Sequence, residues 1–154
     1  MPTNLWGNAT WLFFHVLVEN IPEEKFDKLK PVVIDIIKDT CRHLPCPYCA
    51  EDATKVINQG FIHNIKNREH LIEFMRQFHN IVNIKLDNKR YSIEETKDLN
   101  YKKYNLMMLI NNLFKIYTMK HGIMKLMPYN LQRGYYLKRL QQNIQKFQEI
   151  KYRD

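Results

Sequence analysis

The cysteines of this 154-residue chain are Cys41, Cys46 and Cys49, all inside the stretch CRHLPCPYCAEDA, residues 41–53. Cys46-Pro47-Tyr48-Cys49 is a C-x-x-C, and Pro45 stops the segment before it. Pro47 suits the first position of a helix. Cys46 is therefore predicted as the N-cap of a helix that ends near Gly60. Unpaired N–H groups and the dipole at a helix start favour a thiolate. Two intervening residues let the two sulfurs approach disulfide distance. The chemistry implied is dithiol–disulfide exchange. The same residues admit other readings. Zinc would need Cys41, His43, Cys46 and Cys49 at cramped spacing, with no second C-x-x-C or H-x-x-x-H to follow. A thioredoxin-type centre needs a strand before the motif, where this sequence reads as helix. Three buried structural thiols are the plainest alternative.

A second group of chemistry-bearing residues is spread over two segments. Trp11 and His15 stand four apart, as do His79 and Asn83. Each pair falls on one helix face. Facing each other in a bundle, they would offer an aromatic surface and hydrogen-bonding groups to a planar ligand. Taken singly, Trp11 reads as core and His79 as a satisfied core histidine.

The elements that must position these residues read as helices. Four glycines leave little room for hairpin turns. Residues 8–19 form a first helix, with Trp11, Phe14, His15 and Val18 on one face. Pro22-Glu23-Glu24 opens a second, with Phe26, Leu29, Val33, Ile36 and Ile37 on its apolar side. Pro31 is expected to kink or restart it. After the Cys46 helix, Asn67 caps a fourth, striped by Leu71, Met75, Phe78, Val82 and Leu86 and ended by Asp87-Asn88. Ser92-Ile93-Glu94-Glu95 matches a capping box and opens a fifth. Leu106, Leu109, Ile110, Leu113, Ile116 and Tyr117 mark another helix, stopped near Gly122. Leu137, Leu140, Ile144 and Phe147 mark a last one. No repeat or low-complexity segment appears.

Charge divides the chain. Residues 1–103 hold 15 Lys and Arg against 14 Asp and Glu, and residues 104–154 hold 9 against 2. The basic back third is expected to pack by its apolar stripes and either solvate itself or face something acidic. No apolar run approaches the ~20 residues that span a bilayer. The N-terminus lacks the order of a secretory signal. These features predict a soluble, cytoplasmic protein without a membrane span.

The stretches WGNATWLFFH (residues 6–15), LPCPYC (44–49) and FHNIVNIKL (78–86) stand in this order. Together they resemble the Erv/ALR family of flavin-linked sulfhydryl oxidases. That family shows a W-G-x-x-x-W-x-x-x-H-like first helix, a C-x-x-C opening the third and H-N-x-V-N-x-x-L on the fourth. The resemblance spans about residues 5–103, and the short core looks most like the versions encoded by large DNA viruses. It implies an all-α fold: a four-helix bundle with a short fifth helix, here followed by a C-terminal helical extension. The corresponding division is a sulfhydryl oxidase core over 1–103 and a basic extension over 104–154. The family is usually homodimeric and holds FAD in the mouth of the bundle. Cys49 matches the flavin-proximal cysteine and Cys46 the one that meets substrate. Gly7, Trp11, His15, His79, Asn80, Asn83, Lys85 and Tyr91 match positions near the cofactor. The implied activity passes electrons from thiols, through the Cys46–Cys49 disulfide, to FAD and then to O2, giving H2O2. Its partners would be thiol-containing proteins or a dithiol carrier. The family's second cysteine pair, which relays electrons from clients, has no counterpart, and Cys41 reads as a packed thiol. The competing reading is a basic helical protein that binds nucleic acid or a protein partner, its cysteines structural or zinc-bound.

Overall fold

The computed structural model describes residues 3–60, 62–86, 92, 94–95, 99–119 and 127–153. Six long helices and no strands occur among them: α1 Thr3–Glu19, α2 Phe26–Arg42, α3 Pro47–Gln59, α4 Arg68–Lys85, α5 Leu106–Tyr117 and α6 Met127–Tyr152. Helices α1 to α4 pack in a ring, each against the next and α4 back on α1. The fold is thus all-α, built on a four-helix bundle. Helix α5 lies on α1 and α6 on α2. No helix among the described residues is long and apolar enough to cross a membrane.

Capping chemistry sets several boundaries. Asn67 accepts a hydrogen bond from the backbone N–H of His70 at 2.8 Å and starts α4. Asn105 caps α5 through the N–H of Met108 at 3.1 Å. At the end of α3, a Cβ on Gly60 would lie 2.8 Å from the Phe74 ring, so a larger residue there would have to displace that ring. Ser92 and Glu95 exchange the two hydrogen bonds of a capping box, at 3.2 and 3.5 Å. Residues 96–98, where that short helix would continue, lie outside the described residues, as do Asp87, Asn88 and Gly122.

Three boundaries differ from the sequence pattern. Helix α1 begins at Thr3 rather than residue 8, because Trp6 is buried in the core and extends the apolar face by a turn. A 3-10 turn, Glu23–Lys25, precedes α2, which runs through Pro31 without a break. A proline this near the helix start removes only one early hydrogen bond. Leu86 ends α4 as an exposed C-cap rather than joining its buried stripe.

One hydrophobic cluster runs through both halves of the chain. Phe13, Leu17, Leu29, Val33, Ile37 and Phe78 belong to it, and so do Leu113, Ile116, Leu140, Ile144 and Phe147. Polar links tie the ends together. Arg68 donates to the Glu19 carbonyl and carboxylate at 2.9 and 3.0 Å. Lys25 donates to the Lys151 carbonyl at 2.7 Å, and Lys151 to Asn20 Oδ1 at 2.9 Å.

Candidate functional site: a thiol beside two joined cavities

Pro47 is the first residue of α3, and Cys46 before it is extended, as an N-cap must be. The Cys46 sulfur accepts the backbone N–H of Cys49 at 3.3 Å, which draws the two thiols together across the first turn. Both are half-buried free thiols. Tyr48 between them is 81% exposed, so this turn presents itself outward.

The helix start does not lower the Cys49 pKa. Burial, followed by the hydrogen bond and charge of Cys46 and the charge of Asp52, pushes the thiol up to about 12. Its own backbone N–H opposes this and loses. The thiolate expected from the dipole alone is thus offset at Cys49 by desolvation and two neighbours.

Cys49 lines an apolar cavity of about 160 Å³ between α1, α2, α3 and α4. Gly7, Trp11, Phe14, Phe78 and Val82 contribute to its wall, with Lys85 and Leu86 at the exposed end of α4. A Cβ placed on Gly7 would meet nothing within 4 Å. Cys41 also reaches this wall, almost fully buried, and burial raises its thiol strongly. Such a thiol is inert.

A second cavity, of about 180 Å³, adjoins the first at Trp11, which lines both. His15, Arg76, His79, Asn80 and Tyr101 surround it. Trp11 stacks on His79 with ring centroids 4.0 Å apart, and His15 stacks on Tyr101 at 4.6 Å. His15 Nε2 and His79 Nδ1 share a hydrogen bond at 2.9 Å, so one ring donates and the other accepts. Burial and then the charge of His79 lower the His15 pKa to about 3; burial lowers that of His79 to about 4. Both rings are therefore neutral near pH 7.

The structure sorts the residues singled out in the sequence into two groups. Gly7, Trp11, Cys49 and Lys85 meet at the first cavity; Trp11, His15, His79 and Asn80 meet at the second. Cys46 caps the helix that carries Cys49. Asn83 lines neither cavity; it is buried one turn beyond His79, and its Nδ2 has no hydrogen-bond partner among the described residues. Tyr91 lies outside the described residues. Among the described residues no group of three or more His, Cys, Asp or Glu is placed to hold a metal, so Cys41, His43, Cys46 and Cys49 do not form a ligand set.

Sequence reasoning missed Arg76 and Tyr101. Arg76 stands one turn before His79, a spacing that could have flagged it. Tyr101 comes from a 3-10 turn, Tyr101–Lys103, and no periodicity marks it.

Comparison with known families gives one result: the pattern of the Erv1 / Alr family matches residues 8–105. No curated protein and no solved structure matches the chain significantly.

Proposed function

We propose that this chain, which belongs to the Erv1 / Alr family, is an FAD-linked sulfhydryl oxidase that works through Cys46 and Cys49. The family is one of FAD-linked sulfhydryl oxidases. The observation that supports extending its activity to these residues is Cys49 in the wall of an apolar cavity, beside Gly7, Trp11 and Lys85.

The residues present suit FAD. Trp11 and His79 offer aromatic faces, and the first cavity has the apolar lining a ring system requires. The space beyond Gly7 is open. Asn83, one turn beyond His79, is buried with an Nδ2 that has no acceptor among the described residues, a group that folded proteins rarely leave unsatisfied. Lys85 brings positive charge toward a phosphate group, whereas Arg76 is held by the Glu73 carboxylate. Gly7, Trp11, His15, His79, Asn80 and Lys85 would hold the cofactor, with Asn83 and Tyr91 added on the family resemblance. Bound there, FAD would accept two electrons from the reduced dithiol and pass them to O2, giving H2O2.

The chain's own part is thiol exchange. A client thiolate attacks Cys46 Sγ of the Cys46–Cys49 disulfide, and the S–S bond breaks toward Cys49. Cys49 then takes up a proton, because its burial favours the neutral thiol. A second client thiolate attacks the client sulfur of the mixed disulfide and releases Cys46. The client leaves with one new disulfide, and its two electrons remain on the Cys46–Cys49 pair. Clients are protein thiols that reach Cys46 directly or through a dithiol carrier. A homodimer is the assembly that the resemblance implies, and sedimentation measures it.

Oxygen consumption with dithiothreitol tests the reading. The native chain turns over; Cys46→Ser and Cys49→Ser each lose at least about a hundredfold while remaining yellow. A colourless native protein, or a Cys49→Ser variant at full rate, rules it out.

A further inference from the structure

The same small motif occurs twice behind the cavity of Cys49. On α1, Thr10 donates its hydroxyl to the Trp6 carbonyl at 2.7 Å, and its oxygen lies 2.7 Å from the Tyr117 hydroxyl. On α2, Thr40 donates to the Ile36 carbonyl at 2.7 Å, and its oxygen lies 2.7 Å from the Tyr136 hydroxyl. A threonine hydroxyl has one proton. Each threonine has spent it on its own helix, so each tyrosine must be the donor across the interface.

Both tyrosines come from the C-terminal helices, beyond the residues that match the family. Both are buried, at 1% and 0% exposure, with ring centroids 6.1 Å apart. One of their two acceptors stands at the cavity and the other beside it. Thr10 lines it, and Thr40 directly precedes Cys41, which lines it too. Two further contacts hold the Tyr136 end in place. His43 stacks on its ring within 5° of parallel, and Arg139, three residues on, donates to both carboxylate oxygens of Asp39 at 2.9 and 3.0 Å.

We infer that Tyr117 and Tyr136 are positioning residues for the redox cavity: the C-terminal helices brace its α1 and α2 walls from behind and thereby form part of the cofactor site. The inference rests on the flavin reading above. A buried hydroxyl donor fixes its partner in angle as well as distance, so a wall held this way cannot roll to close the space or let Cys41 turn outward. Apolar packing alone, which has no direction, would leave that freedom.

The test uses the full chain. Flavin dissociation is measured for the native protein, Tyr117→Phe, Tyr136→Phe, Thr10→Val and Thr10→Ser. Loss of one such bond corresponds to about a 3- to 10-fold weaker flavin affinity. That loss is expected in both phenylalanine variants and in Thr10→Val, with Thr10→Ser restoring native affinity. Tyr117→Phe combined with Thr10→Val should be no worse than either alone. A second readout needs no flavin. In a Cys46→Ser/Cys49→Ser background, Cys41 is the one remaining thiol, and Tyr136→Phe should speed its modification by a thiol reagent at least about tenfold in the native state. If native protein binds flavin and these variants bind it equally well, with Cys41 equally protected, the brace has no bearing on the site. If native protein binds no flavin, the functional reading itself fails, whatever the tyrosine variants do to Cys41.

Discussion

Trp11 of α1 and His79 of α4 stack face to face, their centroids 4.0 Å apart and their planes within 10°. The pair is the partition at which the two cavities meet. Phe78 supports it from one side, edge-on to Trp11 at 5.0 Å. His15 supports it from the other through its hydrogen bond to His79. Trp11 lines both cavities and His79 the second, so a shift of the stack disturbs the site. Trp11→Ala should lower the melting temperature by at least about 5 °C and yield protein with little visible absorbance. Trp11→Phe should retain most of both. Calorimetry and the ratio of visible to ultraviolet absorbance measure the two effects.

The His15–His79 pair predicts a pH dependence. Unfolded, each imidazole takes up a proton below about pH 6.5. In the fold, burial first and the facing ring second keep His15 neutral to about 3, and burial keeps His79 neutral to about 4. Between those limits the unfolded chain binds more protons, so stability falls as the pH drops. Above about pH 7 both rings are neutral in both states, and the contribution is complete. Asp39 titrates lower. Burial raises its pKa, but hydrogen bonds from His43 and Arg139 outweigh burial and hold it at about 2. The urea midpoint should therefore be flat from about pH 7 to 8 and fall between about 6.5 and 4. Replacing both histidines by glutamine should flatten that decline.

Cys41 is a buried thiol in the cavity wall, and the proposed exchange does not use it. Cys41→Ala should keep turnover within about twofold and cost about 1 kcal/mol, as a small core truncation does. A loss of about a hundredfold in oxygen consumption would make it a third redox cysteine.

Ending the chain after Lys103 removes Leu113, Ile116, Leu140, Ile144 and Phe147 from the core and uncovers α1 and α2. The basic charge of the back third sits on helices whose apolar sides are buried in the bundle. The shortened chain should be insoluble or colourless. Soluble, yellow protein from residues 1–103 would show that the bundle holds flavin alone.

Much of this arrangement is legible in the sequence where local chemistry decides it. Pro47 after Cys46 and Asn67 before Arg68 locate the starts of α3 and α4, because capping depends on neighbours in the chain. The apolar stripes of α5 and α6 identify buried faces. They do not say what covers those faces. Thr10 and Tyr117 are 107 positions apart, and Thr40 and Tyr136 are 96 apart; a period of 3.6 carries no information about such partners. The stack of Tyr101 on His15 is hidden for the same reason. The raised Cys49 pKa is hidden too. A helix start shows in the sequence and points to a thiolate, whereas the burial that outweighs the dipole depends on helices far away in the chain. Leu86 shows the converse, an apolar residue in register that the end of α4 leaves in solvent.

The most direct measurement is an anaerobic titration of purified native protein with dithiothreitol, followed by air. If Cys49 reduces a bound flavin, the protein is yellow, its visible bands bleach as thiol is added, and they return with oxygen. The Cys49→Ser variant then stays yellow and does not bleach. Native protein with no visible bands, or bands that bleach equally in the Cys49→Ser variant, would contradict that role.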